Sequence, residues 1–582
     1  MIRHTSPISG IDCRGNWVAT AGYDNRLILW EFQSGKAPLA VAVGMHDHLV
    51  NQCRFSHDGR LIVSASSDYT ARIWSCAPAS LQLKTVLTGH EDDVEMACFS
   101  ASDHYVATAS RDHCIRIYDL SGNCLQTLHG HSKDVLSVHW LRNDELLVSS
   151  GDDGCVLTWD VSTGQVISAL SLGDTEADTI AIGADGVVFA GDDTGAIMSI
   201  VAQEKSHYLA HRSGIKRLAI NAHKNLLLSA GYDRHLSVWD VSNASLALRR
   251  QVSIPEDAWP RSFCMSDDAR YVHMGSFGGI FRSYDTALDS WYELPDNSTL
   301  GLNDLAFHDG HLWSVGDAGL LKSDAGDRIL LGSLCNTLLS TKNGLLAAGQ
   351  QGVIFLINKQ IDGRYVVSRI YQHNCPINCS AIIGDDGTGQ NVILGTYNGE
   401  LIRISLQSGS VDTIQSDCLP VVSSAIKDVT CFDPHHLFLV CANGDAVWLT
   451  SEGHISTHLR GIHSKIANAC VRLGPNLVAS VSRDRCLYLW SREHLLSKIP
   501  SPNSHSIKCM AWSDPWIITG SYNGSLHFYD LSRSEWCPQL TRPTVAGISS
   551  LLVGNNQDEI DASVYASSYD GRIYRNHCPP PR

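Results

Sequence analysis

The most constraining feature of this chain is a four-residue pattern repeated at near-constant spacing. An Asp sits in a turn, with a hydroxyl residue four positions before it, an aromatic six positions after it and a His about 20–22 positions before it. The copies are His4, Thr20, Asp24 and Trp30; His46, Ser64, Asp68 and Trp74; His90, Thr108, Asp112 and Tyr118; His131, Ser149, Asp153 and Trp159; His211, Ser229, Asp233 and Trp239; and His463, Ser480, Asp484 and Trp490. The segments around them are short alternating runs ending in turn residues, such as 17–22, 105–110 and 477–482, with almost no helical periodicity. A period of this size means one small β unit copied many times, each unit needing its neighbours to bury its faces.

With these residues the chain resembles the WD40 family. Gly89-His90 and Gly130-His131 match that family's Gly-His signature; Tyr118-Asp119, Trp159-Asp160, Trp239-Asp240 and Tyr529-Asp530 match its terminal Trp-Asp. The resemblance implies an all-β fold in which each repeat is one four-stranded blade of a β-propeller. Weaker copies follow the strand rhythm alone. Blade five would carry Asp193, with Ser199 in the aromatic place; blade ten carries Asn398, and blade thirteen carries His505, Thr519, Asn523 and Tyr529. About fourteen repeats in 582 residues give about 42 residues each, so the expectation is two consecutive WD40 propellers of seven blades. They are placed at 1–296 and 297–582, joined near 294–299. Only three residues precede His4, too few for the usual closing strand, and the segment after Tyr574 offers no fourth strand, so blade fourteen is expected either to have three strands or to leave an edge that another segment covers.

His, carboxylate and hydroxyl are also the parts of a nucleophilic triad. An enzyme needs one such set, whereas six equivalent sets serve something each blade needs. The resemblance implies a buried relay in which Asp accepts from His, His meets the hydroxyl, and the hydroxyl meets the indole. His90, Thr108, Asp112, Tyr118, His131, Ser149, Asp153, Trp159, His211, Ser229, Asp233 and Trp239 are therefore read as structural, with no catalytic residue. The 19 cysteines are odd in number and scattered, and read as reduced thiols. Cys375-Pro-Ile-Asn-Cys379, with His373 upstream, is a lone CxxxC without a second pair at zinc-finger distance, so no metal and no cofactor are expected.

Function should then reside on faces and loops. In the WD40 family the residue before the relay Asp points toward the central opening of the top face. Here the candidates are Tyr23, Ser67, Arg111, Asp152, Asp192 and Tyr232 in the first ring, and Tyr397, Arg483, Tyr522 and Tyr569 in the second. Repeated Tyr and Arg at turn tips suit partner contact. Charge is uneven: residues 1–296 hold 36 acidic and 23 basic side chains, and 297–582 hold 24 and 21, within a net charge of −16. Asp92, Asp93, Asp134 and Asp152 near the first rim therefore predict an acidic face for a basic protein or peptide.

The acidic total disfavours nucleic acid, no apolar run reaches membrane-spanning length, and no secretory segment opens the chain. The expectation is a soluble, cytoplasmic, non-catalytic interaction scaffold or recognition subunit of a multiprotein assembly, binding partners on its top faces. An alternative is a subunit of an RNA-associated complex using the basic run Arg460, Lys465, Arg472, Arg483, Arg485 and Arg492 of blade twelve. A further alternative is an enzyme with a site in one central channel.

Overall fold

A computed structural model describes residues 2–580 except 37, 78–79, 142–143, 173–178, 184–185, 193, 202–203, 213, 232, 243–244, 256–258, 278, 280, 293–300, 386–388, 408–414 and 555–562. The described residues form β-strands, turns and irregular segments, without helix. Thirteen sheets have four strands paired antiparallel in chain order, and a fourteenth has three: Ile548–Gly554, Ser563–Ser568 and Ile573–His577. Each sheet is one blade. The chain divides into two compact units, Met1–Thr299 and Leu300–Arg582, holding blades one to seven and eight to fourteen. The expected junction at 294–299 lies outside the described residues.

Burial explains why each strand has its composition. The second strand of a blade, such as Trp17–Gly22 or Leu226–Gly231, is buried almost throughout, because blades press on it from both sides. It therefore reads as an unbroken run of small and apolar residues rather than an alternating one. The fourth strand, such as Gln165–Ser171 or Ser245–Ser253, is an outer edge and mostly exposed or half-buried. Cores form between neighbouring blades: Met96, Ile115 and Ile117 of blade three pack with Val138, Leu157 and Trp159 of blade four. Burial of this kind contributes roughly 2 kcal/mol per large apolar side chain.

The first strands of successive blades lie side by side and ring a central channel. In the first unit they are Ile8–Arg14, Val50–Phe55, Val94–Phe99, Val135–Leu141, Thr179–Ile182, Ile215–Asn221 and Pro260–Met265, and the last packs back against the first. The second unit repeats this from Leu302–His308 to Ile548–Gly554. Among the described residues, every sheet is built of strands consecutive in the chain. In ring one Ser262 Oγ donates to the Ile8 carbonyl at 3.1 Å and Cys13 Sγ to that of Met265 at 3.3 Å, around a core of Ile8, Ile11, Trp30, Phe32, Tyr271 and Phe281. In ring two Ser550 Oγ donates to Asp304 at 2.8 Å, and Phe307 meets Tyr565 edge-on at 5.3 Å. All 19 cysteines are free thiols, many of them packed in these cores.

Candidate functional site: the two ring mouths

The relays come first, because they decide which polar groups remain for function. In blade one His4 Nδ1 bonds Asp24 at 2.9 Å, its Nε2 bonds Thr20 Oγ1 at 2.7 Å, and Trp30 Nε1 donates to the same oxygen at 2.7 Å. Blades two, four and six repeat this through His46, Ser64, Asp68 and Trp74; His131, Ser149, Asp153 and Trp159; and His211, Ser229, Asp233 and Trp239. Nδ1–H donates to the carboxylate, so Nε2 accepts from the hydroxyl, which in turn accepts from the indole. Burial holds His46, His90 and His131 below the usual imidazole range, consistent with neutral rings. Burial acts to raise Asp112, but the bond and charge of His90 outweigh it and leave it below the usual carboxylate range. Thr20, Ser64, Thr108, Ser149, Ser229 and Ser480 are all 0% exposed, so none of these hydroxyls can meet a substrate.

Four details depart from expectation. In blade three His90 bonds Asp112 at 2.8 Å and Thr108 at 2.6 Å, but the longer Tyr118 side chain carries its hydroxyl past Thr108 to donate to the Thr88 carbonyl at 2.9 Å. In blade twelve His463 Nδ1 turns to the Gly444 carbonyl at 3.1 Å, while Nε2 and Trp490 still meet Ser480. In blade thirteen Asn503, not His505, reaches Thr519, at 3.3 Å; His505 bonds Asn523. In blade five Asp192 is buried and closes the turn by accepting from the amides of Thr194 and Ala196, each at 2.9 Å, so it is not offered to the opening. Asp193 lies outside the described residues.

One recurrent backbone bond marks the mouth of each ring. The amides of Tyr23, Ser67, Arg111, Asp152 and Phe277 donate to the carbonyls of Pro7, Leu49, Asp93, Asp134 and Trp259, just ahead of or at the start of each inner strand. In ring two the same bond places Asp317, Gln350, Tyr397, Ala442, Arg483, Tyr522 and Tyr569. Asp317, Gln350 and Ala442 have no mark in the sequence, because no relay Asp follows them. Tyr232 lies outside the described residues.

One part of ring one's mouth gathers acidic side chains around the Arg111 guanidinium. Arg111 bonds Glu95 and, at 2.7 Å, Asp134; Asp152 and Asp93 also act on it electrostatically. Burial raises Asp134 above the usual range, with Arg111 opposing and Glu95 and Asp92 reinforcing the rise. Asp93 is buried and accepts from Ser67 at 3.0 Å, which corrects its expected role as a presented carboxylate. Elsewhere on the rim Tyr23 is covered by Arg261, whose guanidinium lies 4.6 Å from the Tyr23 ring and 4.9 Å from Phe277.

Ring two's mouth is cationic and aromatic. Every inner strand of this ring skips one residue in its pairing near the top: Asn303, Asn336, Asn378, Lys427, Asn468, Lys508 and Ser549. The four asparagines donate to the inner-strand carbonyls of the next blade, Cys335, Ile377, Ile426 and Ile507, at 3.0, 2.8, 2.8 and 2.6 Å. Lys427 and Lys508 interrupt this ladder with charge. The Lys427 ammonium lies 5.5 Å from the Tyr397 ring; among the described residues neither lysine makes an ion pair, while Asp428 acts electrostatically on both. Burial, then Lys508 and Arg483, push Lys427 down to about 7. Burial acts to raise Tyr522, but Arg483 and Lys508 outweigh it and leave the phenol below its usual range. Arg483 stacks over Tyr522 at 5.6 Å, and Tyr522 lies parallel to Tyr569 at 6.4 Å. Tyr522 is buried, so it supports Arg483 rather than offering its own face; Tyr397 is exposed.

The basic run of blade twelve is divided by strand direction. Arg460, Lys465, Arg483 and Arg485 fall at the top ends of their strands, whereas Arg472 and Arg492 fall at the bottom ends, bonded to the Gly474 carbonyl and to His436. It does not form one patch. Cys379 of the CxxxC segment packs in the core, while His373 lies beside Glu400 and Cys418, a group able to hold a metal.

These blades have counterparts in known proteins. Residues 1–31, 41–75, 81–119, 122–160, 203–240 and 495–530 match the family described as WD domain, G-beta repeat. The chain is a WD40-repeat protein, built as tandem β-propellers. Among curated proteins it is 23% identical over 275 residues to a guanine nucleotide-binding protein subunit beta of Zea mays, covering 46% of this chain and 52% of that protein. It is 23% identical over 296 residues to the nuclear distribution protein PAC1 of Arthroderma otae, covering 48% and 50%. It is 27% identical over 173 residues to autophagy-related protein 16 of Arabidopsis thaliana, covering 27% and 32%. The chain thus spans about half the length, or less, of these relatives. Among the described residues no helix is long and apolar enough to cross a membrane.

Proposed function

We propose that this chain is a non-catalytic, cytoplasmic scaffold whose two rings, at 1–296 and 297–582, each receive a different partner protein at the top mouth. The observation that carries this reading is the different charge environment of the arginine before the relay Asp in the two rings. Arg111 of ring one is encircled by Glu95, Asp134, Asp152 and Asp93, whereas Lys427, Lys508 and Arg483 of ring two converge with no ion pair on either lysine among the described residues. An acidic mouth attracts a Lys- or Arg-rich segment and a cationic, Tyr-lined mouth attracts an acidic one, and each repels the other's partner. Asp92, Asp134, Asp152, Arg111 and Tyr23 form the first contact surface; Tyr397 and Arg483, with Lys427 and Lys508, form the second. That one relative is named as a subunit supports a role in an assembly.

Fluorescence anisotropy with a Lys/Arg-rich peptide and a Glu/Asp-rich peptide tests the division. Reversing Asp92, Asp134 and Asp152 to Lys should weaken the basic peptide by at least about tenfold and leave the acidic one unchanged; Lys427→Met should do the converse. Equal affinities before and after substitution would remove the reading, and capture of a single-stranded oligonucleotide in place of the acidic peptide would assign ring two to nucleic acid.

A further inference from the structure

Blade ten has lost its relay and gained a different polar cluster in the same place. Asn398 stands where the Asp would be, Leu394 where the hydroxyl would be and Ile404 where the aromatic would be. His373 is retained, with its ring turned otherwise. Its Nδ1 faces the backbone of Cys375, 3.2 Å from the carbonyl and 3.0 Å from the amide, and its Nε2 faces Glu400 Oε2 at 2.8 Å and Cys418 Sγ at 3.8 Å. One donor atom from each of the three side chains lies within 4.8 Å of the others. His373 comes from the loop ahead of the inner strand Ile377–Asp385, Glu400 opens the third strand Glu400–Gln407, and Cys418 lies on the outer strand Gln415–Pro420. Because Cys418 pairs with Ile402, Glu400 and Cys418 are diagonal neighbours on one face of the sheet.

We infer that His373, Glu400 and Cys418 form a binding site for a single divalent metal ion of borderline softness, zinc being the best match. Three arguments support it. A thiol, an imidazole and a carboxylate are the side chains zinc takes, and bonds of about 2.0–2.3 Å in a tetrahedron set neighbouring donors about 3.3–3.7 Å apart. The observed 2.8 and 3.8 Å bracket that range, so only small side-chain adjustments are needed. The supporting shell is also present. The carboxylate is oriented by Asn398 Nδ2, which donates to Glu400 Oε2 at 2.7 Å, and once Nε2 ligates a metal the ring proton resides on Nδ1, 3.2 Å from the Cys375 carbonyl, in place of the bond Nδ1 accepts from the Cys375 amide at 3.0 Å. Finally, a relay role is closed to this His, since Leu394 and Ile404 offer its Nε2 no partner. Three protein ligands leave a fourth position for water or for a side chain brought by another molecule.

The test uses the full chain, treated with chelator, dialysed and titrated with zinc alone, then separately with cobalt(II) as a spectroscopic substitute. One equivalent should bind, and cobalt should produce a thiolate-to-metal charge-transfer band in the near ultraviolet. Cys418→Ser should abolish that band, and Glu400→Gln should weaken zinc by at least about tenfold while keeping it. Cys375→Ser should keep both affinity and band. No charge-transfer band in the parent chain overturns the site, and so does a band that survives Cys418→Ser. If Cys418→Ser fails to fold, Glu400→Gln decides alone: unchanged zinc affinity overturns the proposal.

Discussion

The two rings reach the same architecture with different hydrogen-bond arrangements. Four complete relays and a Tyr-modified fifth tie the loops of ring one to its own strands, each within a single blade. Ring two keeps a relay remnant at His463, Ser480 and Trp490, and runs four asparagines from blade to blade around its channel, a ladder that ring one has in part where Ser9 and Asn51 donate to the Val50 and Val94 carbonyls. The relay is thus one means of satisfying buried polar groups in a blade and not a requirement of the blade itself. What both rings share is the doubly buried second strand.

Acid should separate the rings most strongly. Burial holds His46, His90 and His131 of ring one below their usual range and pushes His139 and His273 to about 3. A depressed imidazole stays neutral in the fold while the unfolded chain takes up protons below about pH 6.5, so its stabilisation is intact above 6.5 and declines as pH falls toward the folded value. By pH 5, His139 and His273 should each cost about 2 kcal/mol. Ring two has His463 near 4, but burial also raises Asp317 and Asp428 to about 7. Those carboxylates bind protons in the fold between pH 7 and 4, where the unfolded chain does not, so acid stabilises through them. Hydrogen exchange mapped by mass spectrometry at pH 7 and 5 should show ring one opening first; equal loss in both rings would contradict this account.

Asp112→Ala comes next in size. It strands His90 Nδ1, the amides of Glu91 and Cys114, and Arg116, and should cost about 3 kcal/mol. The lost protection should map to residues 1–299 and leave ring two unmoved. Asn468→Ala is the smallest of the three. It removes one donor from the Ile507 carbonyl and should cost about 1 kcal/mol in denaturant unfolding of ring two. A cost near zero would mean that water replaces the ladder easily.

The strength of the sequence signal followed the chemistry. His, Trp and Asp are costly to bury, so six repetitions at fixed spacing point to a shared structural need, and the propeller was legible from them. The asparagine ladder carried a fainter signal, an apolar residue followed by Asn at 302–303, 335–336, 377–378 and 467–468. It becomes visible once inner strands are aligned with one another rather than with the relay. Residue counts give ring one an acidic excess, but not the organisation of carboxylates around Arg111, because Glu95 sits on an inner strand and not in a turn. Lys427 and Lys508 were passed over for the same reason. His373, Glu400 and Cys418 are spread over 45 residues, so only the pairing of two strands brings them together.

The seams of the rings have a consequence of their own. Where Ile8–Arg14 meets Pro260–Met265, the joint uses side-chain packing of the kind found between any two adjacent blades, with no strand exchanged among the described residues. A ring assembled this way closes on the same kind of side-chain contact that joins its other blades. Each blade is then an interchangeable stave: one can drift far from its siblings in loop chemistry, as blade ten has, while the barrel-like hoop of inner strands continues unbroken through it.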